Sequence, residues 1–250
     1  RMKEHGADVS GKIATQISTS KHFYDVTAHR YIQDNVQEMG MHFIRGLSAD
    51  MEDLPTKKGQ QEADSWFAHF VWSVENRYFE PYYPIPAPTA PVPVTVPEEN
   101  FEGKPGDVVI IADLKPEDTQ LAGMISRFRS KLPYATRVFN LREYPFKGGC
   151  LGCFRCAVSG KCVHKDGFDE YLRSQIQTAD SIVYAFTVRD HSMGARFKMY
   201  DDRNFCNGHR TVTIGMPVGY LVSGNLSEEV NLQTILEARA QVGSNFLAGI

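Results

Sequence analysis

The sequence predicts an α/β protein built on a doubly wound parallel sheet. After residue 105, short apolar runs alternate with helical stretches, which is how a sheet covered on both faces is written. Those runs are β-branched and lack strict polar alternation, so the strands are buried on both sides. A proline-rich stretch sets this region apart from an N-terminal segment with its own strand and helix signals.

In chain order, residues 107–112 form the first strand, and Asp118 stands where it can cap a helix with Leu121, Met124, Ile125, Phe128 and Leu132 at helical period. Residues 137–141 read as the second strand. A helix bearing Phe168, Tyr171, Leu172 and Ile176 leads to the third strand, 181–188. The fourth is 217–222, and a helix with Leu232, Ile235, Leu236 and Val242 precedes a fifth at 245–250. Right-handed crossovers between successive parallel strands place these helices on the two faces.

Residues 81–104 are the linker, and positions 81–98 hold seven of the 13 prolines. They read as a stiff polyproline spacer, a connector or strap rather than a recognition ligand. Residues 1–80 echo the end of the later series. The run 11–20 lies over 215–224, Gly40 over Gly243 and Gly46 over Gly249, an offset of about 200 residues, the size of one α/β domain. The expectation is a tandem duplication: residues 1–80 are the C-terminal half of a first copy, with strands at 12–18 and 41–46, and residues 105–250 are a second copy lacking its last helix. A helix with Ala63, Trp66, Phe67, Phe70, Val71, Val74 and Tyr78 on one face completes the first copy. The polypeptide is expected to extend both ways, its copies pairing as an intramolecular pseudo-dimer. A rearranged single domain is the alternative.

Cys150, Cys153, Cys156 and Cys162 supply the chemistry. Three thiolates at C-x2-C-x2-C can converge on one cubane, and the x5 arm, turned by Gly160, closes the fourth corner. A [4Fe-4S] cluster matches this spacing. Zinc matches less well because no second ligand knuckle is present, and reduced thiols or a disulfide pair remain the alternatives. Cys206 reads as a buried thiol. Cysteines crowded into one loop agree with a reducing compartment, the cytoplasm.

Composition narrows the classes further. The chain has 250 residues, 42% hydrophobic and 23% charged, and a net charge of −3, which provides no electrostatic case for nucleic acid. No apolar run reaches transmembrane length, and no signal-peptide pattern opens the sequence, so no membrane partner is expected. P-loop, GxSxG, HExxH and EF-hand patterns are absent.

The cysteine loop followed by Asp166, the strand from Ala179 and Asp180 to Phe186, and the Lys198-Met-Tyr-Asp-Asp202-Arg203 helix end together resemble the flavodoxin-like NAD(P)H-dependent FMN reductases. Within them, the iron–sulfur flavoproteins are the nearest pattern. The resemblance covers 107–250, with 1–80 as a second partial copy. It implies FMN, NAD(P)H as electron donor, a redox partner or small-molecule substrate, and flavin sites formed at a subunit contact in a homo-oligomer or pseudo-dimer. The resemblance also implies the flavodoxin-like strand order 2-1-3-4-5, and in such a sheet the ligand lies beyond the carboxyl ends of strands 1 and 3, its phosphate at the first helix N-terminus. Lys115 and Thr119 are then the phosphate residues, although Asp113, Glu117 and Asp118 oppose a dianion. Thr187, Val188, Arg189, Met193, Gly194, Ser223 and Gly224 meet the flavin ring, and Ser18, Thr19 and Ser20 are their counterparts in the first copy. Arg189 could hold an anionic flavin or pair with Asp190. His191 reads as an exposed loop histidine, with no carboxylate marked as its partner.

Overall fold

The computed structural model describes residues 5–20, 25–82, 103–210 and 212–250. The prolines from 84 to 97 lie outside the described residues. The chain divides into two compact units, Arg1–Ala87 and Pro88–Ile250.

The N-terminal unit holds strands β1 (Ile13–Ala14), β2 (Ile17–Ser20), β3 (His42–Phe43) and β4 (Leu47–Asp50), with helices α1 (Asp25–Glu38) and α2 (Lys57–Glu75). β1 pairs with β3 and β2 with β4, both parallel. The two expected strands are thus each broken once and reach further than 12–18 and 41–46. α2 starts where Thr56 Oγ1 accepts the Gly59 N–H at 3.1 Å, an N-cap satisfying one of the helix's unpaired donors. Its apolar face departs from expectation: Phe67, Val71, Trp72 and Val74 are exposed, and the fully buried side chain is Ser73. Trp66 is held by its Nε1–H donating to Arg45 O at 3.0 Å.

Gly59 sits against backbone. A Cβ there would stand 2.2 Å from Asp53 O and 2.9 Å from Leu54 Cα. Gly59→Ala is expected to destabilise the protein by about 1–3 kcal/mol, because backbone cannot yield as a side chain does. Thermal melting of the variant checks this, and an unchanged midpoint would show that the approach is not confining.

The C-terminal unit is a five-stranded sheet of β5 (Val108–Ala112), β6 (Thr136–Asn140), β7 (Ser181–Thr187), β8 (Pro217–Ser223) and β9 (Phe246–Gly249). The order is β6-β5-β7-β8-β9 and every pairing is parallel, the predicted 2-1-3-4-5 arrangement. All five residues of β5 are buried, because alternate side chains enter the cores on opposite faces. On one face Val108, Ile110 and Ala112 meet Leu121 and Ile125 of α3 (Thr119–Lys131). On the other, Val109 and Ile111 share a core with Phe168, Leu172, Ile176, Phe197, Tyr200, Leu232 and Leu236. These belong to α5 (Phe168–Tyr171) and the turn that continues it, to α6 (Ala195–Asn204) and to α7 (Val230–Val242), while α4 (Arg155–Ser159) lies in the cysteine loop. Val242 is exposed, against expectation.

The predicted helix through Phe168 and Ile176 changes pitch midway. From Leu172 to Ile176 it is a π-helix, closed by Gln177 N–H to Leu172 O at 2.9 Å. Phe168, Leu172 and Ile176 all become fully buried. Arg173 meanwhile reaches Gly160 O at 2.7 Å and Asn207 Oδ1 at 3.0 Å, tying this turn to the end of the cysteine loop.

The backbone around the β1–α1–β3 turns recurs around β8–α7–β9. Six hydrogen bonds match, among them Gly11 N–H to Gly40 O with Gly215 N–H to Ser244 O, and Met41 N–H to Val36 O with Asn245 N–H to Ala240 O. In every case the second residue number exceeds the first by 204. The Ile13–His42 and Pro217–Phe246 pairings obey the same offset. So do the left-handed residues, Gly11 with Gly215 and Gly40 with Ser244. Gly40 therefore corresponds to Ser244, one residue beyond the Gly243 suggested by matching glycines.

Among the described residues, no helix is long and apolar enough to cross a membrane.

Candidate functional site

Cys150, Cys153, Cys156 and Cys162 line one small cavity of about 20 Å³, together with Phe154, His164, Arg203 and Cys206. The chain between the first two cysteines turns back at Gly152, whose φ of +62° is in the left-handed region. Phe154, also left-handed at +56°, then starts α4, which carries Cys156. Gly160, at +68°, closes α4 and redirects the chain to Cys162. Cys150 and Cys153 are exposed, Cys156 and Cys162 partly buried. Burial pushes the Cys156 thiol up, with the neighbouring Cys150, Cys162 and Cys153 adding to it. Among the described residues, no three His, Cys, Asp or Glu side chains converge closely enough to hold a single metal ion.

Behind the loop stands a buried ion pair. Arg203 NH2 reaches Asp166 Oδ1 at 2.8 Å and NH1 reaches Oδ2 at 2.9 Å, both side chains being 1% exposed. Asp166 also accepts the N–H of Lys147 at 3.1 Å and of Phe168 at 3.3 Å. Burial works to raise this carboxyl, but the bonds from Arg203, Lys147 and Phe168 outweigh it and hold it well below the usual range. His164 meets Gly149 O at 2.8 Å, and Cys162 N–H donates to Asp169 Oδ2 at 3.1 Å. Cys206 is buried as expected. It is not remote, however: it lines the same cavity, and burial, then Cys162, push its thiol up to about 12.

The donor set suits a [4Fe-4S] cluster in kind: four thiols on one loop, with a buried cation beside them to offset thiolate charge. The enclosed space is about that of one water, and Cys150, Leu151, Cys153 and Phe154 along it are exposed.

The crevice at the carboxyl ends of β5 and β7 gathers a different chemistry. Arg142 Nε lies 2.7 Å from Oδ1 of buried Asp113. Arg189 NH2 reaches both oxygens of Asp118, at 2.6 and 2.8 Å. Lys115 Nζ stands 3.6 Å from Glu117 Oε1. Three carboxylates thus face three cations, leaving no surplus positive charge for a phosphate dianion. The amides are engaged too: Lys115 N–H donates to Asp118 Oδ2, Asp118 N–H to Lys115 O and Thr119 N–H to Glu117 O. Asp118 sits at the N-cap position of α3 without bonding the helix, because its carboxylate serves Lys115 and Arg189 instead. The phosphate cradle expected at Lys115 and Thr119 is closed by its own ion pairs.

Other predicted residues do meet at this end of the sheet. Thr187 pairs with Ser223, and Val188 N–H donates to Ser223 O at 2.8 Å. A Cβ on Gly224 would lie 3.0 Å from Val188 Cβ, at a φ of +124° that side chains rarely adopt. Gly194 faces Arg189 and Asp113. The Met193 side chain is 2% exposed and belongs to the core with Phe197 and Tyr200, while its backbone bridges to Arg189. His191 corrects its reading as well, since its Nδ1 lies 3.1 Å from Glu229 Oε1, at a distance of 38 residues in sequence. In the N-terminal unit Ser18 Oγ lies 2.7 Å from His29 Nε2, and Thr19 follows it on β2. Burial lowers the His29 pKa, against the pull of Asp25. Ser48, opposite Ser18, donates to Asp25 Oδ2 at 2.7 Å. Ser20 completes β2.

No protein-family model matches the chain. An iron–sulfur flavoprotein of Clostridioides difficile (strain 630) is 30% identical over 54 residues, which are 22% of this chain and 24% of that relative, so the match spans less than a quarter of its length. Among solved structures, the azoreductase AzrA aligns with 58% of this chain and 85% of its own, at 13% identity and a TM-score of 0.43. An NAD(P)H:quinone oxidoreductase from Methanothermobacter marburgensis aligns with 58% of this chain and 84% of its own, at 17% identity and 0.42. A flavodoxin, WrbA-like protein from Agrobacterium tumefaciens aligns with 56% and 75%, at 12% identity and 0.36.

Proposed function

We propose that this chain is part of a flavin-dependent redox system, in which its C-terminal unit carries a [4Fe-4S] cluster on Cys150, Cys153, Cys156 and Cys162 and relays single electrons. The observation that carries this reading is the convergence of four cysteines and a buried arginine on one cavity beside a 2-1-3-4-5 sheet. The 54-residue likeness to an iron–sulfur flavoprotein supports it. A bound cluster would supply one-electron chemistry. The protein's part is placement. Gly152 and Gly160 shape the loop, Asp166 orients Arg203, and α6 runs from the crevice at Gly194 to the cysteine cavity at Arg203, roughly 14 Å along its axis.

FMN, with NAD(P)H as its reductant, is proposed to lie outside the 113–118 loop, whose ion pairs oppose a phosphate. The six shared backbone hydrogen bonds support reading residues 1–80 as a partial second copy, with Ser18, Thr19 and Ser20 at its equivalent strand end. The closed loop also supports a flavin-free scaffold with free thiols.

An absorbance spectrum of anaerobically purified protein, with iron and sulfide analysis, separates the two. The redox reading expects a broad band near the cluster region and about four irons per chain; a colourless, iron-free protein after reconstitution would refute it. Asp118→Ser frees Arg189 and the Lys115 amide. It is expected to tighten FMN binding, followed by flavin fluorescence quenching, at least tenfold, or about 1.4 kcal/mol. Unchanged affinity would show that the ion pairs are not what closes the loop.

A further inference from the structure

One nitrogen of the Arg203 guanidinium has no partner. Its NH1 bonds Gly148 O and Asp166 Oδ2, both at 2.9 Å, and its NH2 bonds Asp166 Oδ1 at 2.8 Å. The rings of Phe168 and Phe146 have their centroids 5.3 and 5.8 Å from its Cζ. The Nε–H, by contrast, is buried with no acceptor, in a side chain that is 1% exposed. Burying a donor without a partner costs the hydration it gave up, so such a group marks either waste or an absent acceptor. Arg203 lines the cavity ringed by the cysteines, and the carboxylate and carbonyl that could have taken Nε are already used on the terminal nitrogens.

Resting on the cluster proposed above, we infer that Arg203 Nε–H donates a hydrogen bond to a sulfur of that cluster, a thiolate or an inorganic sulfide, and raises its reduction potential. Reduction adds one electron and one negative charge to the cluster with no bond made or broken. A fixed donor and a buried cation beside the sulfurs stabilise the reduced form more than the oxidised one. Asp166 holds the guanidinium in place by a two-point contact that a point charge on a flexible stem would not reproduce.

Arg203→Lys keeps a cation for Asp166 and removes the Nε donor. Wild type and variant are reconstituted anaerobically, their iron and sulfide counted, and their midpoint potentials read by dye-mediated titration with EPR detection. The variant is expected to retain about four irons and to titrate at lower potential, the ratio of reduced to oxidised cluster at a given potential falling about tenfold, which is 59 mV for one electron. A loaded variant with the wild-type potential would overturn the inference while leaving the cluster reading intact. A wild type without iron would instead defeat the cluster reading itself. If the variant does not fold or load, the Arg155→Lys protein, which lacks the loop's own arginine, is labelled with 15N-arginine and its reduced cluster examined by electron spin-echo modulation. A 15N coupling supports the donor bond, and its absence overturns it.

Discussion

Cys156→Ser is expected to empty the cysteine loop of iron while leaving the fold in place. Cys156 sits on α4, in the middle of the set, and senses the charge of Cys150, Cys153 and Cys162 together. Serine is nearly isosteric, and Cys156 is only partly buried, packed at the margin of the principal core, so little packing is lost. Its hydroxyl is a poor iron ligand at neutral pH, because it is the deprotonated thiol that binds metal. After reconstitution, iron is expected to fall from about four per chain toward none, with the visible band lost and the far-ultraviolet circular dichroism unchanged. Full iron retention in this variant would show that Cys156 is not a ligand.

The second large effect is on stability. Asp166→Asn leaves the guanidinium of Arg203 buried opposite a neutral amide, and breaking a buried pair from one side costs roughly 3–5 kcal/mol. In a unit of this size that corresponds to a fall in melting temperature of roughly 10 °C. A fall of less than a few degrees would mean that water reaches the pair. The same contact has a pH signature. The folded-state Asp166 carboxyl is held below its unfolded value, so its stabilisation is complete above the unfolded pKa of about 3.9. It is lost as pH falls through the folded value. Wild type should therefore lose stability between pH 4 and lower pH that Asp166→Asn does not lose in addition.

Periodicity made the sheet readable. The apolar run of β5 and the helical spacing of Leu121 and Ile125 needed no distant information, whereas the strand order came with the flavodoxin-like resemblance, because βαβ connectivity alone allows more than one order. The cysteine spacing likewise announced its loop. What escaped was long-range electrostatics. Arg189 and Asp118 are 71 residues apart and His191 and Glu229 are 38, and no local pattern records that a loop after β7 will lean on the loop after β5. Asp118 illustrates the conflict: locally it is a good helix cap, but a guanidinium across the crevice competes for it. The burial of the Met193 side chain escaped for a related reason, since a loop residue's direction depends on the left-handed Asp190 and His191 before it. The π-turn at Leu172 also lies beyond a 3.6-residue period, although the buried positions it serves were identified correctly.

The matched hydrogen bonds 204 residues apart pose a problem of assembly. While the chain folds, two segments carry the same backbone instructions, and either could compete for the edge of β7, as happens when repeated domains misassemble. The side chains arbitrate. At the offset of 204, Tyr220 of β8, whose ring lies 5.2 Å from that of Tyr184, corresponds to Gln16, and Val222 to Ser18. Seating Gln16 against Tyr184 would bury an amide among aromatic rings at a cost of roughly 1–3 kcal/mol, enough to bias a close contest by tenfold or more. The difference in side chains between the two segments thus disfavours seating one backbone pattern in the place of the other.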